Sequence, residues 1–349
     1  MFLILLLSTK GNAEEKIKIG VSTALTGNAA TYGTDIKNAL LFASEKLAQG
    51  RYELLFEDDR CTGADAVSVA HKFVEVSKVR YVIGFACSGA LLSAAPIYEK
   101  AKVVAISPGA NAPAVSKAGD YIFRTTPSDA ISAQVLLRYI HPRHKILGII
   151  SEETDYAQAL AQEILKSNTS SELEIVTENF LTNASDVKPA LLKLKSRNID
   201  SLFINPQTEA TFLLVLKQLK QLNFEVPVYG AYFPGSGAFL EQAGANAEGI
   251  VYADLPSLKE MVGAEGEKLY SEFEKKYGKP NAWDSLFVTS FEAFRALDLA
   301  IRSGHDVRTY LDEETFSGLV GKWSFDENGD INGIAHRLKV IRNGKATTL

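Results

Sequence analysis

Hydrophobic positions along this chain alternate between short strand-like runs rich in apolar residues and longer stretches with helical spacing. In the first third, the apolar runs are 17–23, 52–57, 81–86 and 103–107. Between them, apolar residues recur every three or four positions over 33–49, 64–77 and 91–100. This alternation predicts a parallel β-sheet covered by helices on both faces.

The same alternation then starts again, which predicts a second α/β lobe. Apolar runs cover 145–151, 173–180, 201–205 and 227–232, and helical patterns cover 157–167, 187–196 and 208–222. The extended stretches 121–127 and 249–256 are predicted crossovers between lobes. Two long helices near 262–277 and 285–302 and a C-terminal strand–turn–strand follow. Ligands of such sheets bind outside the carboxyl ends of the strands.

Length and charge narrow the class of protein. The chain has 349 residues, enough for two domains, with 46% hydrophobic and 23% charged residues. Its formal net charge of -5 argues against a nucleic-acid partner.

The first residues resemble a secretory signal peptide. An apolar run over 1–7 is too short to span a bilayer, and small residues follow it up to Ala13. We therefore predict a signal peptide over 1–13, truncated at its start because the usual basic residues are missing. A buried N-terminal strand is the alternative. No cysteine follows the run, so we expect a soluble, exported protein rather than a lipoprotein.

The sequence lacks the common catalytic motifs of hydrolases and nucleotide-binding enzymes. There is no Gly-x-Ser-x-Gly elbow and no Walker lysine, and the five histidines are scattered. The Asp326-x-Asn328-x-Asp330 stretch begins like a calcium loop, but Ile331 replaces the required glycine, which favours a solvated hairpin turn. We expect a binding protein without enzyme activity, cofactor or metal.

The predicted strand over 81–86 passes abruptly into a helix at Cys87-Ser88-Gly89. The first N–H groups of that helix lack partners and favour an anion, so a carboxylate or phosphate is expected beside Ser88. Cys61 follows the preceding strand. If the two strands are neighbours, Cys61 and Cys87 lie within bridging distance, and an exported protein would form the disulfide. Two buried free thiols are the alternative.

Acidic and aromatic side chains also follow predicted strands. Asp58 and Asp59 could form a metal pair or a catalytic dyad, but the favoured interpretation is that they are solvated or cap the next helix. Tyr32, Tyr156 and Tyr232 each lie after a strand, where a tyrosine can stack on a ligand and donate a hydrogen bond. Packing of surface loops is the alternative for each tyrosine.

A set of motifs then resembles one family. The set comprises 17–27 with Tyr32-Gly33, Asp58-Asp59 with Cys61, 81–84 with Cys87-Ser88, Ser107-Pro108 with Ala112-Pro113, 123–126, Asp155-Tyr156, 247–249 and 323–330. In order and spacing it is similar to the branched-chain amino-acid (leucine/isoleucine/valine) type of periplasmic solute-binding protein, which serves ABC importers. The resemblance covers nearly the whole mature chain.

The resemblance implies the type I periplasmic binding fold: two Rossmann-like lobes joined by three crossovers, which close on a solute. It implies that residues 14–127 with 255–324 form lobe one, and 128–254 with 325–349 form lobe two. It also implies a Cys61–Cys87 disulfide and a seat for a carboxylate at Ser88 and near Gly109. The expected ligand-binding residues are Tyr32, Ala86, Cys87, Ser88, Gly109, Ala110, Asn111, Tyr156, Gln207 and Tyr232.

Three positions depart from the family's pattern. Asn111 replaces a threonine that grips the amino-acid head group, Gln207 replaces a tyrosine, and Tyr232 replaces the acid that neutralises the α-ammonium. Burying an ammonium without a carboxylate costs several kcal/mol. The resemblance therefore implies an amino acid or related carboxylate, but not leucine. Candidate partners for an ammonium are Glu209, Glu152 and Asp155.

The implied partners are a small-molecule solute and an ABC permease in the inner membrane, and the protein is expected to be a monomer in the periplasm. The alternative function is a ligand-sensing domain for a small amide or aromatic acid on the same scaffold.

Overall fold

The computed structural model describes residues 16–349, so the predicted signal peptide lies outside the described residues. Fifteen strands are present in the described part. They are β1 (Ile17–Thr23), β2 (Tyr52–Asp58), β3 (Tyr81–Gly84), β4 (Val104–Ser107), β5 (Ile122–Arg124), β6 (Ile146–Glu152), β7 (Glu174–Phe180), β8 (Ser201–Asn205), β9 (Val228–Ala231), β10 (Val251–Asp254), β11 (Thr315–Gly318), β12 (Gly321–Phe325), β13 (Ile331–Asn332), β14 (Arg337–Arg342) and β15 (Lys345–Thr348).

Eleven α-helices accompany these strands in the described residues. They are α1 (Ala30–Ala43), α2 (Gly63–His71), α3 (Ser88–Ala101), α4 (Asp129–Ile140), α5 (Asp155–Ser167), α6 (Lys188–Ser196), α7 (Glu209–Gln221), α8 (Gly237–Ala243), α9 (Leu258–Tyr277), α10 (Asp284–Ser303) and α11 (Val307–Glu313). One of three 3₁₀ turns in the described residues, Pro113–Lys117, lies between β4 and β5 and contacts α5.

The first sheet has the order β2-β1-β3-β4-β5, with every pairing parallel. Its central strands are apolar on both faces, because helices α1 and α10 pack together on one side and α2 and α3 on the other. Continuous apolar strands are what a parallel sheet covered on both faces requires. A small antiparallel sheet, β11-β12-β13, packs against α10 and α11.

The second sheet has the order β15-β14-β10-β9-β8-β6-β7. Strands β6 to β10 pair in parallel, whereas β14 and β15 add an antiparallel hairpin to one edge. The two sheets confirm the predicted fold class of two α/β lobes with parallel sheets.

The chain passes between the two large sheets three times in the described residues, at 125–128, 255–257 and 333–336. Lobe two was expected to resume at residue 325. This limit is wrong, because β13 still pairs with β12 in lobe one and the chain returns to lobe two only after it. Asp330, in the turn before β13, forms a bidentate ion pair with the fully buried Arg124 at 2.6 and 2.7 Å. The expectation of a solvated hairpin turn is therefore wrong at Asp330, since this carboxylate is anchored inside lobe one.

Cys61 and Cys87 form a disulfide with a Cα–Cα distance of 5.4 Å. The strands that precede them are not neighbours, because β1 lies between β2 and β3. Cys61 instead lies in a loop beyond β2, and Cys87 caps α3, so the bridge crosses the end of β1. The predicted disulfide is confirmed, but the geometric reason given for it from neighbouring strands is wrong.

Candidate solute-binding site

A cavity of about 60 Å³ lies between the two lobes, large enough for several water molecules. The residues that line it come from the carboxyl ends of strands in both sheets, from the passages between lobes and from the start of α10. They are Tyr32, Ala86, Ser88, Pro108, Gly109, Asn111, Thr126, Tyr156, Gln207, Tyr232, Phe233, Leu255, Trp283, Ser285, Leu286 and Thr289.

All the ligand-binding residues expected from the sequence line this cavity except Cys87 and Ala110. Cys87 belongs to the disulfide and faces a separate cavity at the cleft mouth. Ala110 is fully buried, and its N–H donates a 2.9 Å hydrogen bond to the Ser107 hydroxyl instead of facing a solute. Neither residue lines this cavity, and the binding role expected for each stays a prediction.

On the lobe-one side, Ser88 begins α3 at the carboxyl end of β3. Its hydroxyl oxygen accepts a 3.1 Å hydrogen bond from the N–H of Ala112, which leaves the hydroxyl proton free to donate. Gly109 lines the same cavity, and a Cβ there would lie 3.1 Å from the Cα of Ala86, a tight contact that favours glycine where the two loops approach each other. A hydroxyl donor at a helix N-terminus suits an anionic group.

An aromatic wall forms one side of the cavity. The rings of Tyr32 and Trp283 stack at 5.0 Å with an interplanar angle of 12°. Phe233 packs against Trp283 at 5.7 Å and against Tyr156 at 6.4 Å. Flat aromatic faces of this kind favour a solute with a ring or an apolar body.

Tyr232 belongs to a buried polar cluster behind the cavity. Its hydroxyl donates a 2.6 Å hydrogen bond to Asp129, and the Nε2 atom of His336 lies 2.5 Å from the same hydroxyl. Asp129 and His336 are both buried, and the second carboxylate oxygen of Asp129 has no hydrogen-bond partner among the described residues. Burial first, and then the charge of Asp129, raise the pKa of Tyr156 and of Tyr232 well above the ordinary tyrosine value.

A second carboxylate reaches the cleft from α7. The hydroxyl of Tyr32, in lobe one, donates a short hydrogen bond to Glu209 in lobe two. Burial is the main cause that raises the pKa of Glu209 and also that of Tyr32. Glu152 lies nearby and accepts a 2.8 Å hydrogen bond from the N–H of Gln207. Two carboxyl groups, those of Glu209 and Glu152, therefore lie close to the lobe-two lining, and both are among the candidate ammonium partners named from the sequence.

The cleft is narrow at its mouth. The side chain of Asn28 donates a 3.3 Å hydrogen bond to Asn183 across it. At Gly89, near the start of α3, a Cβ would lie 2.6 Å from a carboxylate oxygen of Asp155 at the start of α5. The two helix N-termini therefore approach each other closely. A cavity of about 650 Å³ lies along this mouth between the lobes.

Several residues of the site were not predicted. His336 comes from a passage between lobes and Trp283 from the segment before α10, which have no periodic pattern to mark them, and Asp129 begins helix α4, which was not predicted. Trp283 precedes Asp284-Ser285 at a helix start, and this acidic first turn is the one local signal that could have drawn attention to it.

Within residues 16–349, no group of three or more His, Cys, Asp or Glu side chains could hold a metal ion. The same residues include no helix long and apolar enough to cross a bilayer.

Residues 16–340 match the model of a protein family described as periplasmic binding protein. A leucine-, isoleucine-, valine-, threonine- and alanine-binding protein of Pseudomonas aeruginosa is 27% identical over 335 residues, which cover 91% of this chain and 88% of that protein. Similar solved structures include a leucine-binding protein from Thermotoga maritima, with a TM-score of 0.85, 22% identity and coverage of 95% of this chain and 97% of that one. Another is a solute-binding protein of an ABC transporter from R. palustris in complex with benzoate, with a TM-score of 0.83, 20% identity and coverage of 96% of each chain.

Proposed function

Because this chain belongs to the periplasmic binding protein family, whose members bind solutes and are not enzymes, we propose that it is the solute-binding subunit of an ABC importer. It captures a small organic carboxylate in the cleft by hinge closure and presents it to a permease in the inner membrane. The fold shared with a solute-binding protein of an ABC transporter supports this function.

The observation that carries the proposal is the free hydroxyl proton of Ser88 inside the interlobe cavity. The Ser88 hydroxyl and the side-chain amide of Asn111 are neutral donors, and the first N–H groups of α3 add the positive end of the helix dipole. A carboxylate held there gains charge-assisted hydrogen bonds without a buried cation. We therefore place the carboxylate of the solute at Ser88.

The rest of the cavity supports an aromatic or unsaturated acid more than an aliphatic amino acid. Tyr32, Trp283 and Phe233 supply flat faces, and no carboxylate belongs to the lining itself. The relative from P. aeruginosa is named for aliphatic and small amino acids, whereas the R. palustris protein holds benzoate. With Tyr232 in place of an acid, we expect leucine to bind at least roughly tenfold more weakly than an aromatic acid.

Titration calorimetry tests the carboxylate seat. Wild-type protein is titrated with benzoate, 3- and 4-hydroxybenzoate, leucine, isoleucine and valine, and with benzamide as the uncharged match of benzoate. We expect at least one acid to bind with one solute per chain. Ser88→Ala should weaken that acid by roughly 10- to 100-fold, because a charge-assisted hydrogen bond contributes about 1.5–3 kcal/mol.

Ser68→Ala is the matched control, because Ser68 is exposed on α2 and its hydroxyl donates a hydrogen bond to the carbonyl oxygen of Ala64 in the same helix. It should bind as the wild type does. Absence of binding by every acid, equal affinity for benzoate and benzamide, or unchanged binding in Ser88→Ala would each contradict the proposal.

A further inference from the structure

We propose that Arg124 is a positioning residue for the carboxylate seat, which it reaches through Ala112 and the hydroxyl of Ser88. The inference rests on the proposed function, because it takes Ser88 as the residue that binds the carboxylate of the solute. Arg124 lies outside the lining of the cavity, so it acts on the solute only through the loop that it anchors.

A backbone donor directs the hydroxyl of Ser88. The N–H of Ala112 donates a 3.1 Å hydrogen bond to the Ser88 oxygen, so the hydroxyl proton points away from Ala112. Loss of this contact frees the hydroxyl to rotate, and its proton is then no longer committed to the solute. The position of Ala112 therefore sets how well Ser88 serves a carboxylate as a donor.

Ala112 is held through both of its backbone polar groups. Its N–H binds Ser88, and its carbonyl oxygen accepts a 2.8 Å hydrogen bond from Nη1 of Arg124. Pro113 follows and restricts Ala112 to extended conformations, in agreement with its φ of -55° and ψ of 141°. Ala112 is therefore a short, stiff link between Arg124 and the seat.

Arg124 itself is fixed in one orientation. Its side chain is fully buried and makes four hydrogen bonds in the described residues. Besides the contact with Ala112, two bonds go to Asp330 at 2.6 and 2.7 Å and one goes to the Ser116 hydroxyl at 2.6 Å. The Ser116 hydroxyl donates in turn to Asp330 at 2.7 Å. A planar guanidinium that is held along two edges cannot turn away from Ala112.

The loop that carries the seat also contacts the other lobe. The carbonyl oxygen of Asn111 accepts a 2.9 Å hydrogen bond from the N–H of Asp129, at the start of α4 in lobe two. The peptide group between Asn111 and Ala112 thus joins Ser88 to an element that moves when the hinge moves. Arg124 keeps Ala112 in lobe one during this movement, since Asp330 ties the guanidinium to that lobe.

Titration calorimetry on the full, oxidised chain tests the inference with benzoate, or with the acid that binds the wild type most tightly. Arg124→Lys keeps a positive charge beside Asp330, but an ammonium lacks the planar fork that also reaches Ala112. We expect the affinity to fall by roughly 5- to 30-fold. Arg51→Lys is the matched control, because Arg51 pairs with Asp298 at 2.9 Å and neither residue lines the cavity. It should change the affinity by less than about threefold.

The coupling between Arg124 and Ser88 is a readout that a merely structural role would not move. In the Ser88→Ala background, Arg124→Lys should change the affinity by less than about threefold, because the hydroxyl that it positions is gone. Arg124→Lys alone should also reduce the preference for benzoate over benzamide. If Arg124→Lys does not fold, Ser116→Ala removes one contact of the guanidinium and retains the ion pair. It should show the same coupling with a smaller loss of affinity.

The outcomes separate the inference from the proposed function. Unchanged affinity in the variant that folds, an equal loss in Arg51→Lys, or an equal loss in the wild-type and Ser88→Ala backgrounds would overturn the inference. In each of these cases the carboxylate seat at Ser88 would still stand. Binding of no acid, or unchanged binding in Ser88→Ala, would overturn both.

Discussion

Among individual residues, Asp59 shows how burial changes the role of a carboxylate. It is fully buried and accepts 2.9 Å hydrogen bonds from the Ser22 hydroxyl and from the N–H of Cys61, beside the disulfide. The sequence favoured a solvated or helix-capping role, but Thr62 caps α2. The favoured role for Asp59 is therefore wrong, and this residue ties the end of β1 to the disulfide loop.

The first prediction concerns the dependence of stability on pH. Burial raises the pKa of Asp59 from 3.8 to about 6, so between these values the folded protein binds a proton that the unfolded protein lacks. Stability contributed by this group is therefore full below pH 3.8 and falls as the pH rises to about 6. A pKa difference of about 2 corresponds to roughly 3 kcal/mol. Asp59→Asn should remove this decline.

Urea unfolding of the oxidised protein at several pH values from about 4 to about 7 measures how the free energy of unfolding declines with pH. The exposed Asp120→Asn serves as the control and should keep the wild-type slope. An equal slope in wild type and Asp59→Asn would show that Asp59 does not titrate as the structure indicates.

Among secondary-structure elements, helices α1 and α7 approach each other across the cleft through their first turns. Tyr32 lies in the first turn of α1, and Glu209 begins α7. Their hydrogen bond is a direct contact between the lobes, and it shields a carboxylate whose pKa is raised mainly by burial. Closure therefore depends on this pair as well as on the solute.

A prediction about solute affinity follows from the pair of Tyr32 and Glu209. Tyr32→Phe leaves Glu209 without its donor when the cleft closes, so the affinity for 4-hydroxybenzoate or whichever acid binds the wild type should fall by roughly 10- to 100-fold. Asn28→Ala removes the exposed contact with Asn183 and should change the affinity by less than about threefold. Titration calorimetry measures the affinity of each variant for the same acid. Equal effects would mean that Tyr32 and Glu209 do not govern closure.

The elements show what the sequence predicts well and where it fails. Strands such as β1 and β8 were predicted at their observed limits, because apolar residues concentrate in a strand that is largely buried on both faces. Helix α4 was not predicted, although its Ser128 cap and Asp129 first turn are local signals. Ser88 was proposed as a site residue because it follows a predicted strand directly, whereas Gly109 was implied by the family resemblance. Trp283 lines the cavity from the segment before α10, and His336 contacts Tyr232 from the third passage between lobes, and no local pattern describes either segment.

For the whole molecule, the passages between lobes meet the binding site. Thr126 and Leu255 belong to two passages and line the cavity, and His336 ends the third and contacts Tyr232. Arg124 and Asp330 fix the first and third passages to lobe one. Movement of the lobes therefore changes the cavity directly, as hinge closure on a solute requires.

Native mass spectrometry of gently purified, exported protein tests the central claim most directly, because it identifies the solute without assuming one. The account predicts one bound small organic acid per chain, which is released on collisional activation and is lost or strongly reduced in Ser88→Ala but not in Ser68→Ala. A bound solute that has no carboxyl group, such as a sugar or a polyamine, would contradict the account.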